Sequence, residues 1–100
     1  MVTKATRFDR YVIDTLMPDL IGHDRQPSAF VVYLYLAHQA AATRRRPVEA
    51  SLRTIAIETG LSKSAVQDAV RLLARRRLLR ADRFTPTSVP QYTLLRPWVR

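Results

Sequence analysis

The chain has 100 residues, a formal net charge of +9 and no cysteine. This length suits one small domain, and the lack of cysteine excludes a disulfide framework, a thiol nucleophile and a Cys-ligated metal. The longest apolar run, residues 29–37, is shorter than the roughly 20 residues needed to cross a bilayer, and the N-terminus has no apolar run suited to a signal peptide. We therefore expect a cytoplasmic protein with no membrane partner.

The positive charge is concentrated in one half of the chain. Residues 1–43 hold equal numbers of basic and acidic side chains, whereas residues 44–100 hold thirteen Lys or Arg against four acids. An excess of this kind is the electrostatic footprint of a polyanion partner. The alternative is a solubilising surface, although such surfaces usually mix both signs.

The N-terminal segment is predicted to contain a short helix after a frayed start over residues 1–7. Apolar residues from Phe8 onward fall at helical spacing up to Met17, and a short strand at residues 11–13 is the alternative. Pro18 and Gly22 are expected to end this element, before a loop that leads into the next helix.

An apolar, alanine-rich run predicts a helix over residues 27–43, with Pro27 at its first position. Because this helix is apolar on nearly every side, several other elements should cover it. Any apolar surface of this helix and of the N-terminal segment that stays exposed is a candidate homodimer contact. The alternative is that residues 8–21 cover the helix completely. Arginines at 44–46 close the helix, where cations complement its dipole.

Two helices joined by a tight turn are predicted between Ser51 and Arg77. Gly60 should end the first, because glycine enters the left-handed region at low cost. Ser51 and Ser62 should cap the two helices through their hydroxyl groups. The second helix carries a broad apolar stripe at helical spacing, formed by Ala65, Val66, Ala69, Val70, Leu72 and Leu73.

A β-hairpin is predicted after the second helix. Two short alternating runs, residues 78–84 and 91–95, surround a loop rich in Pro, Ser and Thr, and residues 47–50 add a possible edge strand. The side chains predicted to point inward are Leu79, Phe84, Tyr92 and Leu94. Those predicted to point outward are Arg80, Arg83 and Thr93. In the tail that follows, Trp98 should pack on the domain or on a second subunit.

These elements resemble the winged helix-turn-helix of DNA-binding regulators, and the overall pattern is similar to the GntR and MarR types. The resemblance is carried by residues of the required size: Ile55, Ala56, Gly60, Leu61, Val66 and Ala69. It implies a mainly helical, three-helical DNA-binding bundle with a small antiparallel β-hairpin as its wing over residues 27–95. Residues 1–26 would be an N-terminal arm and residues 96–100 a tail. The GntR effector domain and the long MarR dimerisation helices are missing, so ligand sensing is not expected.

The resemblance places the helix that begins at Ser62 in the major groove of double-stranded DNA, which is about 12 Å wide and admits one helix. Gln67 can then pair with adenine and Arg71 with guanine. Asp68 either accepts a hydrogen bond from cytosine or holds Arg71 or Lys63 in place.

Two helix starts carry a cation where the helix dipole disfavours one. These are Arg53 and Lys63, and the free N–H groups beside them can bind anions such as phosphate. The alternative is an ordinary solvated surface. The residues predicted to contact DNA, wing included, are Arg53, Ser62, Lys63, Ser64, Gln67, Asp68, Arg71, Arg80, Arg83, Thr85, Thr87 and Ser88.

Enzymatic chemistry is not expected from this sequence. His23 and His38 stand alone, and there is no glycine-rich phosphate loop, so we predict no catalytic residue, metal or cofactor. The predicted function is transcription regulation. The alternatives are a replication or partition accessory protein acting on plasmid or phage DNA, and a winged domain used as a protein–protein adaptor, whose recognition face should lack a basic excess.

Overall fold

The described residues, 5–44 and 46–99, come from a computed structural model. They form three α-helices and a three-stranded antiparallel sheet, preceded by an N-terminal helical segment, which confirms the expected mainly helical fold with a small sheet. The bounds in chain order are α1 Pro27–Ala42, β1 Val48–Glu49, α2 Leu52–Thr59, α3 Lys63–Arg75, β2 Leu79–Asp82 and β3 Gln91–Leu94. Most of the predicted frayed start, and Arg45 of the arginine run, lie outside the described residues.

The N-terminal segment is helical over residues 10–23 and contains two π-helical turns, Val12–Leu16 and Asp19–His23. The prediction of a helix that ends at Met17 is therefore wrong, and so is the alternative of a strand. Pro18 is tolerated because it stands just before the second π-helical turn, where its missing N–H is not needed for pairing. The connection to α1 is consequently shorter than the predicted loop and covers residues 24–26.

One side of the N-terminal segment packs into the core through side chains spaced four residues apart. Val12, Leu16 and Leu20 are buried there. Ile13, Met17 and Ile21 each follow one of these residues and form an exposed row beside the buried one, in the same spacing; these three side chains are called the apolar row below. The segment therefore leaves one apolar row outside the core.

Helix α1 is the centre of the fold, as its composition predicts. It packs against α2, α3, the sheet and the N-terminal segment. Its buried side chains are Ala29, Phe30, Val32, Tyr33, Leu36 and Ala40. Val31 remains exposed, so the N-terminal segment does not cover α1 completely. No helix in the described residues is both long enough and apolar enough to cross a membrane.

The turn between α2 and α3 follows the local rules read from the sequence. Ser51 Oγ accepts from the backbone N–H of Thr54 at 3.0 Å, and Ser62 Oγ accepts from that of Ala65 at 3.1 Å. Both predicted N-caps are confirmed. Gly60 adopts a left-handed conformation with φ of 81°, which confirms its predicted role in ending α2.

The sheet has the strand order β1-β3-β2, with Val48 opposite Tyr92 and Leu79 opposite Leu94. The predicted edge strand and hairpin are confirmed, and Leu79 and Tyr92 point into the core. Strand β2 ends at Asp82, and period-two alternation counted from the inward Leu79 puts residue 84 on the outward face with Arg80 and Asp82.

Two hairpin side chains differ from their predicted orientation. Phe84 is 79% exposed and does not enter the core. Thr93, predicted to point outward, is half-buried, and its hydroxyl oxygen is buried without a hydrogen-bond partner in the described part of the chain. The reason for the second difference is that β3 is the middle strand, so neighbours on both sides cover its side chains.

The tail after β3 folds back on the N-terminal segment. Trp98 stacks on Tyr11, and its indole Nε1 donates to Asp9 Oδ2 at 3.0 Å. Trp98 therefore packs on the domain itself, which is one of its two predicted positions.

Candidate nucleic-acid interface

Helix α3 has a polar side that faces solvent, as the candidate site requires. The buried side chains of this helix are Val66, Ala69, Leu72 and Leu73. The exposed polar side chains on the opposite side are those of Lys63, Ser64, Gln67, Asp68 and Arg71. The apolar stripe fixes α3 on the core, which leaves the polar residues free to meet a partner.

The serines at the start of α3 have a structural task. Ser62 caps the helix, and its hydroxyl oxygen also lies 3.3 Å from that of Ser64. Because the Ser62 hydroxyl oxygen already accepts the bond that caps the helix, the hydroxyl can form fewer hydrogen bonds to an external partner.

The starts of α2 and α3 and the loop between β2 and β3 meet around one shallow hollow. Arg53, Lys63 and Arg83 line it, together with Thr87 and Ser88. None of these three cations forms an ion pair within the described residues. The hollow is lined by no acid, so it concentrates positive charge at two helix N-termini. We call it the cationic hollow.

A second hollow lies between α3 and the sheet, and Arg83 belongs to both. Gln67, Arg71 and Asp82 line its rim. Its walls are apolar and consist of Leu52, Val70, Ala81, Pro90 and Tyr92. The predicted base-reading residues Gln67 and Arg71 are therefore on the same surface as the cation that the hairpin contributes.

Tyr92 supplies an aromatic wall of the second hollow and is almost fully buried. Burial raises the pKa of the Tyr92 phenol above its usual value, and the nearby Arg83 guanidinium acts in the opposite direction. The phenol is therefore neutral near pH 7, and the only charges that this hollow presents come from its rim.

Two predicted residues are partly neutralised by neighbouring acids. Arg71 Nη1 lies 3.6 Å from Asp68 Oδ1, which fits the role of Asp68 in holding Arg71. Arg80 Nε donates to Asp82 Oδ2 at 3.1 Å, and Arg80 lines neither hollow. Asp82 was absent from the predicted site. The period-two alternation of a strand, which puts residues two apart on one face, is the signal that could have indicated this pair.

The loop between β2 and β3 is held by its own hydrogen bonds. The Thr85 N–H donates to Ser88 Oγ at 3.0 Å, and Ser88 Oγ donates to the Thr85 carbonyl at 2.9 Å. Arg83 Nη1 donates to the Pro86 carbonyl at 3.2 Å. Thr87 and Ser88 line the cationic hollow, whereas Thr85 does not.

Some cations of the basic half lie elsewhere and have acidic partners. Arg76 bonds Asp19 and lies 3.4 Å from Asp24, and Arg96 lies 3.3 Å from Asp9. All three acids come from residues 1–43, where basic and acidic side chains are equal in number. The excess charge is therefore divided. These two arginines join the halves, whereas the three cations of the cationic hollow, like the exposed Arg44, Arg46, Arg75 and Arg77, have no acidic partner in the described residues. The cationic hollow differs from the other exposed cations in bringing three of them together.

Comparisons with protein-family models, with curated proteins and with solved structures give no match for this chain. Within residues 5–44 and 46–99, no group of three or more His, Asp or Glu side chains is placed to hold a metal ion. The geometry and charge of the two hollows are therefore the basis for assigning a function.

Proposed function

We propose that this chain is a winged helix-turn-helix protein that binds double-stranded DNA with sequence specificity and regulates transcription. Helix α3 enters the major groove, and the hairpin loop between β2 and β3 is the wing. The proposal is carried by one observation: Arg53, Lys63 and Arg83, from three separate elements, meet in the cationic hollow with no acid to neutralise them.

The cationic hollow suits a phosphate group. Backbone N–H groups at the start of a helix attract anions, and here two helix starts each carry a cation as well. The cations lie where the dipole disfavours them by about 0.3–1 kcal/mol each, and a bound phosphate offsets that cost. Such a contact fixes the register of the protein on DNA without reading the sequence.

Sequence would be read from the exposed side of α3, next to the second hollow. Gln67 can hydrogen-bond adenine through two atoms, and Arg71 can do the same with guanine. Asp68, paired with Arg71 at 3.6 Å, limits the rotamers of the guanidinium and orients it. The Ser62 cap, which accepts from the Ala65 N–H, fixes the start of α3 and so the position of these side chains relative to the phosphate in the cationic hollow.

The proposal includes a homodimer that forms through the apolar row and Val31. These side chains lie in the half of the chain whose charges balance, where two highly basic chains repel each other least. Two copies joined in this way would read half-sites about 10 bp apart or a multiple of that. Sedimentation of the chain with and without Met17→Glu tests this part.

The decisive experiment measures duplex binding by two variants of equal net charge. In the site variant, Arg53, Lys63 and Arg83 are changed to Glu. In the control variant, the same change is made at three exposed arginines elsewhere, Arg25, Arg44 and Arg46. We expect the site variant to lose binding at low salt in a gel-shift assay and the control to keep most of it.

The outcomes separate the competing functions. Equal losses in both variants would mean that only net charge matters, and no loss in either would favour a protein–protein adaptor. If binding is confirmed, sequences selected from a random DNA pool and bound sites mapped in a genome identify the role. Promoters favour a transcription regulator, whereas iterated origin repeats favour a replication or partition protein.

A further inference from the structure

The most exposed large apolar side chain in the described residues is in the loop of the proposed wing, two residues after β2. Phe84 is 79% exposed, and the next is Ile57 of α2 at 70%. Phe84 does not serve the core, since the inward positions of the hairpin are filled by Leu79 and Tyr92. Exposure of a phenyl ring to water is unfavourable in free energy, and burial of the ring against a partner would remove that cost.

The loop that carries Phe84 has its own hydrogen bonds. Besides the side-chain bonds between Thr85 and Ser88, the Ser88 N–H donates to the Thr85 carbonyl at 3.1 Å. On the other side, the Arg83 guanidinium donates to the Pro86 carbonyl at 3.2 Å. These bonds link the residues before and after the ring, and a loop restrained in this way lowers the entropic cost of inserting it.

The surroundings of Phe84 indicate what kind of partner it meets. Residues 83–90 contain a cation, two threonines and a serine but no acid, so the loop suits a sugar–phosphate backbone. The groove edges of stacked bases are polar, and the apolar surface of a duplex lies mainly between the base pairs. A ring that projects from such a loop into the minor groove, where no thymine methyl is presented, gains the largest apolar contact by opening a base step.

We propose that Phe84 is a wedge that enters the minor groove beside the site of α3, partly unstacks one base step and bends the DNA. This inference rests on the proposed function. It adds a specificity determinant that makes no hydrogen bond to a base, because pyrimidine–purine steps such as TA open more easily than stiff A-tracts. Binding should therefore depend on the flexibility of a step that α3 does not contact.

The test uses the full chain and a selected duplex in which the step under the wing is either TA or AA. Bending is measured by energy transfer between dyes at the duplex ends, and unstacking by the fluorescence of 2-aminopurine placed at that step. The variants are Phe84→Ala, Phe84→Trp as a retained wedge, and Ile57→Ala as a matched loss of an exposed apolar side chain. Circular dichroism verifies that all variants fold.

We expect the wild-type chain to bend the TA duplex and to raise 2-aminopurine fluorescence. Phe84→Ala should abolish both signals, weaken binding about tenfold and remove the preference for TA. Phe84→Trp should retain all three properties, and Ile57→Ala should match the wild type.

The failures of the two proposals can be told apart. If the wild-type chain binds no duplex, the proposed function itself is wrong. If it binds a straight duplex with the same affinity as Phe84→Ala, only the wedge is wrong. If Phe84→Ala changes self-association and leaves the shape of the DNA unaltered, the ring contacts protein, and the wedge is again wrong.

Discussion

Trp98 lies on Tyr11 with the two ring centroids 4.5 Å apart and the ring planes at 15° to each other. The indole also donates to Asp9, which accepts a second bond from Arg96 at 3.3 Å. The residues that follow the sheet are thereby joined to those that precede α1, so the tail is a structural part of the fold.

Replacing Trp98 should lower the free energy of unfolding. Trp98→Ala removes the ring stack and the bond to Asp9, and we expect a loss of about 2 kcal/mol. Trp98→Phe keeps a stacked ring and should lose roughly half of that. Urea unfolding followed by far-UV circular dichroism measures both. Equal stability of Trp98→Ala and the wild type would show that the tail contributes nothing.

Arg76 is the second link between the two halves of the chain. It follows the last residue of α3 and pairs with Asp19 and Asp24, whose side chains are 35% and 13% exposed. Arg76→Ala removes the guanidinium from both carboxylates and leaves Asp24 only its contact with His23 Nδ1 at 3.1 Å. Because the group is partly solvated, we expect a loss of about 1–3 kcal/mol, below that for a fully buried pair.

The matched control for Arg76 is its neighbour Arg75, which is exposed and forms no ion pair in the described residues. Arg75→Ala should change the unfolding free energy by less than about 0.5 kcal/mol. Thermal unfolding of the two variants beside the wild type makes the comparison, and similar destabilisation by both changes would contradict a specific role for Arg76.

The features that the sequence predicts well are those that depend on neighbouring residues. Ser51 and Ser62 were identified as caps because a hydroxyl three residues before a free N–H has one obvious partner. Gly60 was identified because few other residues adopt its conformation at low cost. The extent of α1 followed from a long apolar run. In each case the information lies within one helical turn or one helix.

The features that the sequence does not predict depend on distant residues or on where an element stops. Arg76 and Asp19 are 57 residues apart, and nothing local pairs them. The inward prediction for Phe84 followed its apolar character and ignored the alternation from Leu79, which puts residue 84 on the outward face. The candidate site falls between these cases: α3 gave its own exposed face, but the meeting of Arg53 with Arg83 depends on how α2 packs beside the sheet.

Alkaline pH should destabilise the fold through Tyr92. Its pKa is raised by burial, so the folded state favours the neutral phenol. This contribution is complete below the unfolded pKa of about 10 and is lost as the pH rises through the folded value. Stability should therefore fall above about pH 10, and Tyr92→Phe should reduce the fall.

The chain has three other tyrosines and two lysines, so the contribution of Tyr92 is isolated by comparing Tyr92→Phe with the wild type at each pH. Tyr35 also has a raised pKa, first from burial and then from the charge of Glu58. Adding Tyr35→Phe to Tyr92→Phe should flatten the remaining alkaline fall. A pH profile of stability that is the same for the wild type and Tyr92→Phe would contradict this account.

The two hollows should respond differently to salt if the proposed function is correct. Arg53→Ala and Lys63→Ala each remove a phosphate contact, so each should reduce the slope of log affinity against log salt concentration by about 0.9. Gln67→Ala should leave the slope unchanged and relax base preference at one position. Fluorescence anisotropy titrations at several salt concentrations measure this, with Arg44→Ala as a control that keeps the wild-type slope.

Gly60 and Gly22 offer a matched pair for testing the turn between α2 and α3. A Cβ atom at either position would meet no other atom within 4 Å, but only Gly60 has a positive φ, of 81°. Gly60→Ala should therefore cost about 1–2 kcal/mol through backbone strain alone. Gly22→Ala, in an exposed helical turn, should be stabilising by about 0.5–1 kcal/mol. Chemical unfolding of both variants compares them directly. Opposite signs are the expected result, and a neutral Gly60→Ala would contradict the backbone strain expected of a side chain at this left-handed position.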